Sequence, residues 1–480
     1  MTDTYDADLD PEFGEFDDTD AEGYDGDQLD LAERLSLRRV AGMSTQLTDI
    51  SEVEYRDLQL ERVVLVGVWT SGSQTDHDNA MAELKLLAET AGSEVLEGLV
   101  QRRTHPDPAT YIGRGKVDEV REVVIATGAD TVIADGELEP AQLRNLEDRI
   151  GVKVIDRTAL ILDIFAQHAK SIEGKAQVEL AQLQYLRQRL RGWGGNLSRQ
   201  AGGRAAGGAG IGGRGPGETK IETDRRRIRT RISQLRKRLR ELDAVRDTKR
   251  AERRRNQVPS VAIVGYTNAG KSSLLNRLTG AGVLVENALF ATLDPTTRRT
   301  QTSDGRVFTL TDTVGFVRHL PHDLVEAFRS TLEESADADL LVHVVDASDP
   351  DPAGQITAVR TVLGEIGATN IAEQIVFNKV DLVDDARLLP LRTLAPDAVF
   401  VSARTGEGLE ALRDRIEERL PRPAVEVDVL IPYARHDLVD RIHKTGELIS
   451  TEHTGEGTRV VARVNANLAG ELADLGGASA

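Results

Sequence analysis

The chain contains no cysteine among its 480 residues. This absence excludes disulfide bonds, thiolate nucleophiles and cysteine-ligated metal sites. Aromatic residues are scarce, at 4%, and no apolar run approaches the roughly 20 residues of a membrane-spanning helix. Hydrophobic residues nevertheless make up 40% of the sequence, which is ample for packed cores. We therefore expect about two to four domains in a cytoplasmic protein without membrane insertion.

Basic residues are missing from the first 30 positions, which carry thirteen Asp and Glu. This composition is acidic where a targeting signal would be basic, and it predicts a disordered tail over residues 1–59. Residues 185–255 have the opposite character, with 22 Lys and Arg against 7 Asp and Glu. A basic block in a chain of net charge -19 indicates a polyanionic partner.

Strand and helix patterns alternate over residues 60–167. Buried-strand patterns such as "RVVLVGVW" and "ADTVIAD" are separated by amphipathic stretches such as "EPAQLRNLEDRIG". The alternation predicts an α/β domain with a largely parallel sheet. Within it, "YIGRGK" at residues 111–116 could contact a phosphate. No complete nucleotide fingerprint surrounds it, and we favour a turn that leads into the next helix.

Residues 168–256 predict an antiparallel helical hairpin. Apolar residues have helical spacing over residues 173–191, and the Gly- and Arg-rich residues 192–217 have no periodicity. A second helix is predicted from about residue 218 to residue 254, with arginines outside a coiled-coil seam. Because acidic residues are too few to neutralise these arginines, we favour an RNA-binding surface over a solvated face with internal salt bridges. The seam consists of Ile228, Ile232, Leu235, Leu239 and Leu242.

The α/β pattern returns over residues 257–422. "VPSVAIVGY", "RVFTLTDT" and "DADLLVHVVDAS" read as strands, and the Asp-Gly pair in "TSDGR" is typical of a hairpin turn. We therefore expect one antiparallel strand in an otherwise parallel sheet. Residues 423–480 follow an interruption by prolines and predict a small α+β domain that ends in a short tail.

The segment "GYTNAGKS", residues 265–272, lies between a predicted strand and a predicted helix. This is the context of a P-loop, in which glycines let backbone N–H groups surround a β-phosphate at the helix N-terminus. Lys271 would bridge the β- and γ-phosphates, and the Ser272 hydroxyl would ligate Mg²⁺.

The tetrapeptide "NKVD", residues 378–381, also follows a predicted strand. The Asp381 carboxylate can accept the N1–H and the exocyclic amino group of guanine, and Asn378 can pair with the other edge of the base. Adenine does not offer this pattern of donors, so the pair selects GTP. "SAR", residues 402–404, would support the base through backbone N–H groups.

The segment "DTVGF" at residues 312–316 predicts a γ-phosphate-sensing loop. Asp312 would hold Mg²⁺ through water, and the Gly315 N–H would contact the γ-phosphate. The preceding segment "FATLDPTTRR" is rich in hydroxyls. We expect Thr292 to complete the Mg²⁺ shell, with Thr296 or Thr297 as alternatives.

Phe316 stands where a water-orienting side chain would be expected. A phenyl ring can neither accept a proton nor orient water, so the free protein should hydrolyse GTP slowly, with the missing group supplied by a partner. Alternatively, Phe316 only packs, and Arg318 or His319 does this work. Asn268 in the P-loop could also help to hold K⁺ near the phosphates in place of an arginine finger.

With these motifs in order, the chain resembles the HflX family of bacterial GTPases in the Obg-HflX group of translation factors. The resemblance covers about residues 60–422 and includes "GRGPGETKIETDRRRIRTRI" ahead of the P-loop. It implies an N-terminal α/β domain, a helical linker, a GTPase domain and a small C-terminal domain. It also implies binding to the large ribosomal subunit and its rRNA, and splitting or rescue of stalled ribosomes under stress.

We thus expect a monomeric GTPase that is partly ribosome-bound, slow alone and stimulated by ribosomes. A large-subunit assembly GTPase and a signalling switch acting through the coiled coil are the alternatives. The acidic tail and the long loop at residues 192–217 depart from the family pattern. Lys271 and Gly315 are expected to act in catalysis, and Ser272 and Thr292 to bind Mg²⁺. The predicted GTP-binding residues are Gly265, Tyr266, Thr267, Asn268, Ala269, Gly270, Lys271, Ser272, Phe290, Ala291, Thr292, Leu293, Asp294, Asp312, Thr313, Val314, Gly315, Asn378, Lys379, Val380, Asp381, Ser402, Ala403 and Arg404.

Overall fold

The structure is a computed structural model, and it describes most of the chain from residue 62 onward. The predicted acidic tail, nearly all of the Gly- and Arg-rich loop and His319 lie outside the described residues. None of the helices in the described part is long and apolar enough to cross a membrane. The described ranges are 62–70, 72–189, 216–255, 258–280, 289–303, 305–318, 324–325, 328–422 and 425–475.

The first sheet has four parallel strands in the order β2-β1-β3-β4. Successive residues of β1 enter opposite cores: Val63 and Leu65 join one hydrophobic cluster, and Val64 and Val66 join another. Both faces are therefore covered, as a parallel sheet requires. The elements are β1 (Arg62–Trp69), α1 (Gln74–Thr90), β2 (Glu94–Arg102), α2 (Arg114–Thr127), β3 (Thr131–Ala134), α3 (Pro140–Ile150), β4 (Lys153–Asp156) and α4 (Arg157–His168).

Helix α4 is absent from the sequence-based interpretation. Asp156 caps it through a 2.9 Å hydrogen bond from the Ala159 N–H, and residues 157–165 are all buried. A helix that is buried on every side has no polar face, so it lacks the amphipathic period by which helices are recognised.

Two long helices, α5 (Ile172–Arg189) and α6 (Pro216–Arg255), pack against each other. Ile228, Ile232 and Leu235 of α6 are buried against Ala176 and Leu180 of α5, and Leu239 packs at the edge of this cluster. Four of the five predicted seam residues, all but Leu242, therefore lie at the contact between the helices. "YIGRGK" leads into α2, as favoured, with Gly113 as the N-cap residue.

The second sheet has six strands in the order β10-β9-β8-β5-β7-β6. All neighbours are parallel except β6 and β7, which confirms the predicted antiparallel strand. The strands are β5 (Ser260–Gly265), β6 (Thr296–Gln301), β7 (Val307–Asp312), β8 (Leu340–Asp346), β9 (Ala372–Asn378) and β10 (Val399–Phe400). The helices are α7 (Lys271–Thr279), α8 (Arg329–Ala336), α9 (Pro352–Glu365), α10 (Asp385–Leu394) and α11 (Leu409–Arg419).

A small antiparallel sheet in the order β11-β13-β12 follows, covered on one face by two helices. The predicted short tail is instead a helix, whose Leu468 and Leu472 are buried against this sheet. The α/β fold class with a P-loop domain and a C-terminal α+β region is confirmed. The elements are β11 (Val425–Pro432), α12 (His436–Thr445), β12 (Glu447–His453), β13 (Gly457–Val464) and α13 (Ala466–Leu475).

Ile232→Ala tests whether the seam holds the two long helices together. Ile232 is buried between α5 and α6, so truncation should cost about 2–5 kcal/mol in the free energy of local opening. Hydrogen exchange of α6 amides would measure this loss as faster exchange. Arg229→Ala on the exposed face of the same helix is the control and should change exchange little. Equal exchange in the two variants would contradict the seam.

Candidate nucleotide site

The P-loop joins the end of β5 to the start of α7. Gly265 has φ 152°, and a Cβ there would lie 2.2 Å from the Val344 carbonyl oxygen. Gly270 has φ 92°, and a Cβ there would lie 2.2 Å from Nδ2 of Asn378. Only glycine fits both positions, because side chains are excluded by conformation and by space. Asn268 adopts φ 58° between them, a conformation that asparagine tolerates.

Lys271 lies at the floor of a pocket at the N-terminus of α7. Its Nζ donates a 2.8 Å hydrogen bond to the Tyr266 carbonyl oxygen. Burial lowers the pKa of Lys271 to about 8, although the nearby Asp312 carboxylate opposes this shift. A desolvated ammonium is the charge that an incoming phosphate would neutralise. The pocket is lined by Thr267, Asn268, Gly270, Lys271, Ser272, Ser273, Phe290, Ala291, Thr292 and Gly315.

Three oxygen-bearing side chains converge beside Lys271. Ser272 Oγ lies 2.6 Å from Asp312 Oδ2 and 2.8 Å from Thr292 Oγ1, and Thr292 Oγ1 lies 3.1 Å from the same carboxylate oxygen. The other oxygen, Asp312 Oδ1, is buried without a hydrogen-bond partner. Burial raises the pKa of Asp312 despite Lys271. This oxygen set and its orphaned carboxylate oxygen fit a hard cation such as Mg²⁺.

Thr292 is the threonine that the structure brings to this cluster. Thr297 Oγ1 instead lies 3.0 Å from Thr311 Oγ1, and Thr296 pairs with Asp312 in the β6–β7 ladder. Both alternatives are therefore placed in the sheet.

Asn378 and the loop after β10 brace the other end of the P-loop. Asn378 Nδ2 donates to the Ala269 carbonyl oxygen at 2.8 Å, and its Oδ1 accepts the Ala403 N–H at 3.0 Å. Asn378 thus braces the loop against the P-loop, and its second N–H and second lone pair leave the predicted pairing with the base open as a prediction. Ser402 Oγ donates to Asp381 Oδ1 at 2.6 Å, which orients that carboxylate.

Contacts that the sequence did not predict hold this loop in place. Arg277 of α7 donates to the carbonyl oxygens of Ala403 and Arg404, at 2.8 Å and 2.5 Å. Lys379, with φ 64°, forms a 2.7 Å ion pair with Asp346 at the end of β8. The Arg277 contacts have no signal in the sequence, because they join segments more than a hundred residues apart.

Phe316 is completely buried and does not face the pocket. Its N–H donates to the Gly265 carbonyl oxygen at 3.2 Å, and its carbonyl oxygen accepts the Thr267 N–H at 2.8 Å. The backbone thus runs beside the P-loop, and a Cβ at Gly315 would lie 3.0 Å from Lys271 Nζ. Thr313 and Val314 are buried beside it. Arg318, the alternative to Phe316, points elsewhere and pairs with Asp351.

Asp294 does not reach the pocket, contrary to its predicted place among the GTP-binding residues. Its carboxylate accepts the Lys170 N–H at 3.1 Å and the Ser171 N–H at 2.7 Å. Leu293 beside it is buried in the core. Of the predicted segment 290–294, only residues 290–292 line the pocket, because the chain then turns toward α5.

A buried polar network, which the sequence did not reveal, ties the first sheet to this site. Glu83 of α1 accepts hydrogen bonds from Arg157 and from the Tyr266 hydroxyl. Arg157 also donates to Asp135 at 2.8 Å and to the Arg318 carbonyl oxygen at 3.0 Å. The Arg318 N–H donates to the Tyr266 hydroxyl at 2.6 Å. Burial and the Glu83 carboxylate raise the pKa of Tyr266.

The lowered pKa of Lys271 predicts how nucleotide affinity depends on pH. Phosphate binding favours the protonated ammonium, so affinity should be constant below pH 8 and fall as Lys271 loses its proton above it. Affinity at pH 9 should be about tenfold weaker than at pH 7. Fluorescence titration with labelled GDP measures this. Lys271→Arg stays protonated and is the control; a wild-type profile parallel to that of the variant would contradict the prediction.

Three protein families match consecutive parts of the chain. "GTP-binding GTPase N-terminal" matches residues 78–166, and "GTP-binding GTPase Middle Region" matches residues 168–253. The third, described as "50S ribosome-binding GTPase", matches residues 260–379. Together they cover more than half of the sequence, in the order in which the structure lays out its first sheet, long helices and second sheet.

Relatives named "GTPase HflX" are similar over most of their length. The protein from Lacrimispora saccharolytica is 45% identical over 90% of this chain and 98% of its own length. The one from Escherichia coli is 46% identical over 80% of this chain and 88% of its own. A crystal structure of SsGBP in complex with GDP is 26% identical, covers 75% of this chain and 98% of its own, and has a TM-score of 0.42. That TM-score is too low to bear on the fold.

Proposed function

Because the chain belongs to the HflX family of GTPases, we propose that it couples GTP hydrolysis to work on the large ribosomal subunit. In this proposal it splits or rescues stalled ribosomes under stress, and it is a cytoplasmic monomer that is partly ribosome-bound. The matching family described as "50S ribosome-binding GTPase" supports the choice of partner. We propose domain limits at about residues 60, 168, 257 and 423, and the end of α4 at His168, the end of α6 at Arg255 and the start of β5 at Ser260 support this proposal.

The nucleotide assignment rests on two buried groups that lie close together. They are the Lys271 ammonium and the Asp312 carboxylate, of which only one oxygen is hydrogen-bonded among the described residues. Lys271 lines a pocket at a helix N-terminus, and Asp312 contacts the Ser272 and Thr292 hydroxyls that line the same pocket. Ser272, Thr292 and Asp312 would hold Mg²⁺, which when bound neutralises phosphate charge. Lys271 would hold the β- and γ-phosphates, and the Gly315 N–H would contact the γ-phosphate.

Guanine recognition is assigned to Asp381. Its carboxylate is oriented by Ser402, and Asn378 fixes the distance between this loop and the P-loop. Asn378 would therefore brace the loop and, through its second N–H or lone pair, contact the other edge of the base. The mostly exposed Arg404 side chain lies 3.8 Å from Asp381 Oδ2 and so forms a loose ion pair with the same carboxylate.

Hydrolysis by the free protein should be slow because the described residues that line the pocket include no carboxylate or histidine that could act as a general base. Among the described residues, Phe316 is buried and the Arg318 side chain is held by Asp351. A partner that reorders this segment or supplies a polar group would therefore accelerate the reaction. This is the basis for expecting stimulation by the ribosome.

Helix α6 supplies the surface for a polyanionic partner. On a helical projection, Arg226, Arg229, Arg236 and Arg240 fall within a sector of about 80°, beside the buried seam. All four are exposed, and among the described side chains none of them forms an ion pair. An unpaired arginine stripe on a rigid helix suits the phosphates of rRNA.

GTP turnover, alone and with intact ribosomes or large subunits, tests the proposal. We expect a slow basal rate that rises at least about a hundredfold with ribosomes. Replacing Arg229, Arg236 and Arg240 with Gln should abolish most of the stimulation and reduce the salt dependence of binding, because three phosphate contacts are lost. The control replaces three exposed arginines elsewhere with Gln: Arg121, Arg149 and Arg392.

A fast basal rate, or equal stimulation of both triple variants, would contradict this function. Sedimentation of intact ribosomes with the protein and a non-hydrolysable GTP analogue then separates the two ribosomal alternatives. A splitting factor releases free subunits, whereas an assembly factor leaves mature ribosomes intact and binds only immature large subunits. Unchanged ribosome binding by the Arg229, Arg236 and Arg240 variant would favour a signalling role for the helices.

Asn268 is proposed to help hold K⁺ at the same site. Its positive φ places it in the wall of the phosphate pocket, where a monovalent cation would offset charge that develops during hydrolysis. We expect hydrolysis to be several times faster in K⁺ than in Na⁺, and Asn268→Ala to remove the difference. Turnover at equal ionic strength in the two salts measures this effect. A difference that persists in the variant would contradict the assignment.

A further inference from the structure

The Asp294 carboxylate binds the residues that lead into helix α5. Its Oδ2 accepts the N–H groups of Lys170 and Ser171, and its Oδ1 lies 2.5 Å from Ser171 Oγ. Ser171 Oγ in turn accepts the Gly174 N–H at 2.8 Å and caps the helix. A carboxylate at a helix N-terminus satisfies unpaired N–H groups and interacts favourably with the helix dipole.

Gly174 makes this contact possible. A Cβ at this position would lie 2.4 Å from Asp294 Oδ1, so any other residue would displace the carboxylate. Glycine within a helix costs about 1 kcal/mol relative to alanine. The first turn of α5 is therefore shaped to receive a group from 120 residues farther along the chain.

Asp294 is also tied to the nucleotide site through a short stretch of chain. Thr292, two residues earlier, contacts Ser272 and Asp312. Two residues span at most about 7 Å, and Leu293 between them is buried. The segment from Thr292 to Asp294 is therefore short and held in place. A displacement of Thr292 should move the N-terminus of α5 with it.

The rest of the segment is fixed to the helices that precede α5. Phe290 packs edge-to-face on Phe165 of α4, with ring centres 4.7 Å apart. The Leu289 N–H donates to Thr90 Oγ1 of α1 at 3.3 Å. Residues 289–294 thus form a bridge between the pocket and the helices α1, α4 and α5.

We propose that Asp294 is a positioning residue that transmits the nucleotide state from Thr292 to helix α5, and so to the helical pair that carries the arginine stripe. The inference rests on the proposed role of Thr292 as the ligand that responds to Mg²⁺ and the γ-phosphate. A nucleotide can shift α5 only if the two nucleotide states favour different positions of this bridge. The Asp294 carboxylate would pass such a difference in position on to α5, because its hydrogen bonds join the bridge to the helix.

Hydrogen exchange of the residue 170–176 amides, in the GDP-bound protein and with a non-hydrolysable GTP analogue, tests the link. In the full-length wild type we expect exchange to differ about fivefold or more between the two nucleotides. Asp294→Ala should abolish the difference, and Asp294→Asn should retain part of it because an amide can still accept from the helix.

Two further variants separate coupling from helix stability. Gly174→Ala raises the helix propensity of α5 but displaces the carboxylate, so it should also abolish the difference. Asp384→Ala removes a comparable cap from α10, where Asp384 accepts the Arg387 N–H at 3.0 Å, and should leave the difference intact.

A nucleotide-dependent difference that survives in both Asp294→Ala and Gly174→Ala would overturn the inference. So would equal exchange in the two nucleotide states of a wild-type protein that binds both nucleotides. Failure of the ribosomal function is a separate result: turnover would be indifferent to ribosomes while the exchange difference and its loss in the two variants persisted.

Discussion

The site depends on the burial of the Asp312 carboxylate next to the Lys271 ammonium. One carboxylate oxygen is held by the Ser272 and Thr292 hydroxyls, and the other has no hydrogen-bond partner among the described residues. A buried carboxylate in this condition is costly, and so is a buried lysine. Neither serves the stability of the protein alone. Together they form a polar pocket whose unmet interactions suit a metal ion and a phosphate.

The geometry that brings these groups together is the carboxyl edge of a parallel sheet. Gly265 ends β5, Asp312 ends β7 and Asn378 ends β9. Parallel strands expose these ends on one side, and ligands bind there in doubly wound α/β folds. The first sheet follows the same rule with a different result. Asp135 follows β3 at the equivalent edge and binds Arg157, which also contacts the chain at Arg318.

Residues that precede the GTPase sheet in the chain also hold the walls of the pocket in place. Tyr266 in the P-loop has its hydroxyl held by Glu83, and Phe290 has its ring held by Phe165. Asp294 extends this pattern to α5. Residues on each side of the pocket thus contact an element that precedes the GTPase sheet. A conformational change in the pocket can therefore be transmitted to the helices α1, α4 and α5.

The sequence by itself determined the P-loop, the hydroxyl and carboxylate side chains beside it and the one antiparallel strand of the second sheet. These features depend on local chemistry: glycines where φ is positive, hydroxyls and carboxylates at strand ends, and hydrophobic periods of two or of three to four residues. The apolar seam of α6 is predictable from the sequence because it repeats every three to four residues. Phe316 was also recognised as unable to orient water.

Only the tertiary structure decided what Asn378, Asp294 and helix α4 do. Asn378 is a brace because Ala269 and Ala403 lie on either side of it, and α4 is a helix although it has no polar face. Asp294 binds α5 because Gly174 leaves room for a carboxylate. Such roles depend on partners far away in the chain, and a sequence pattern records spacing along the chain rather than proximity in space.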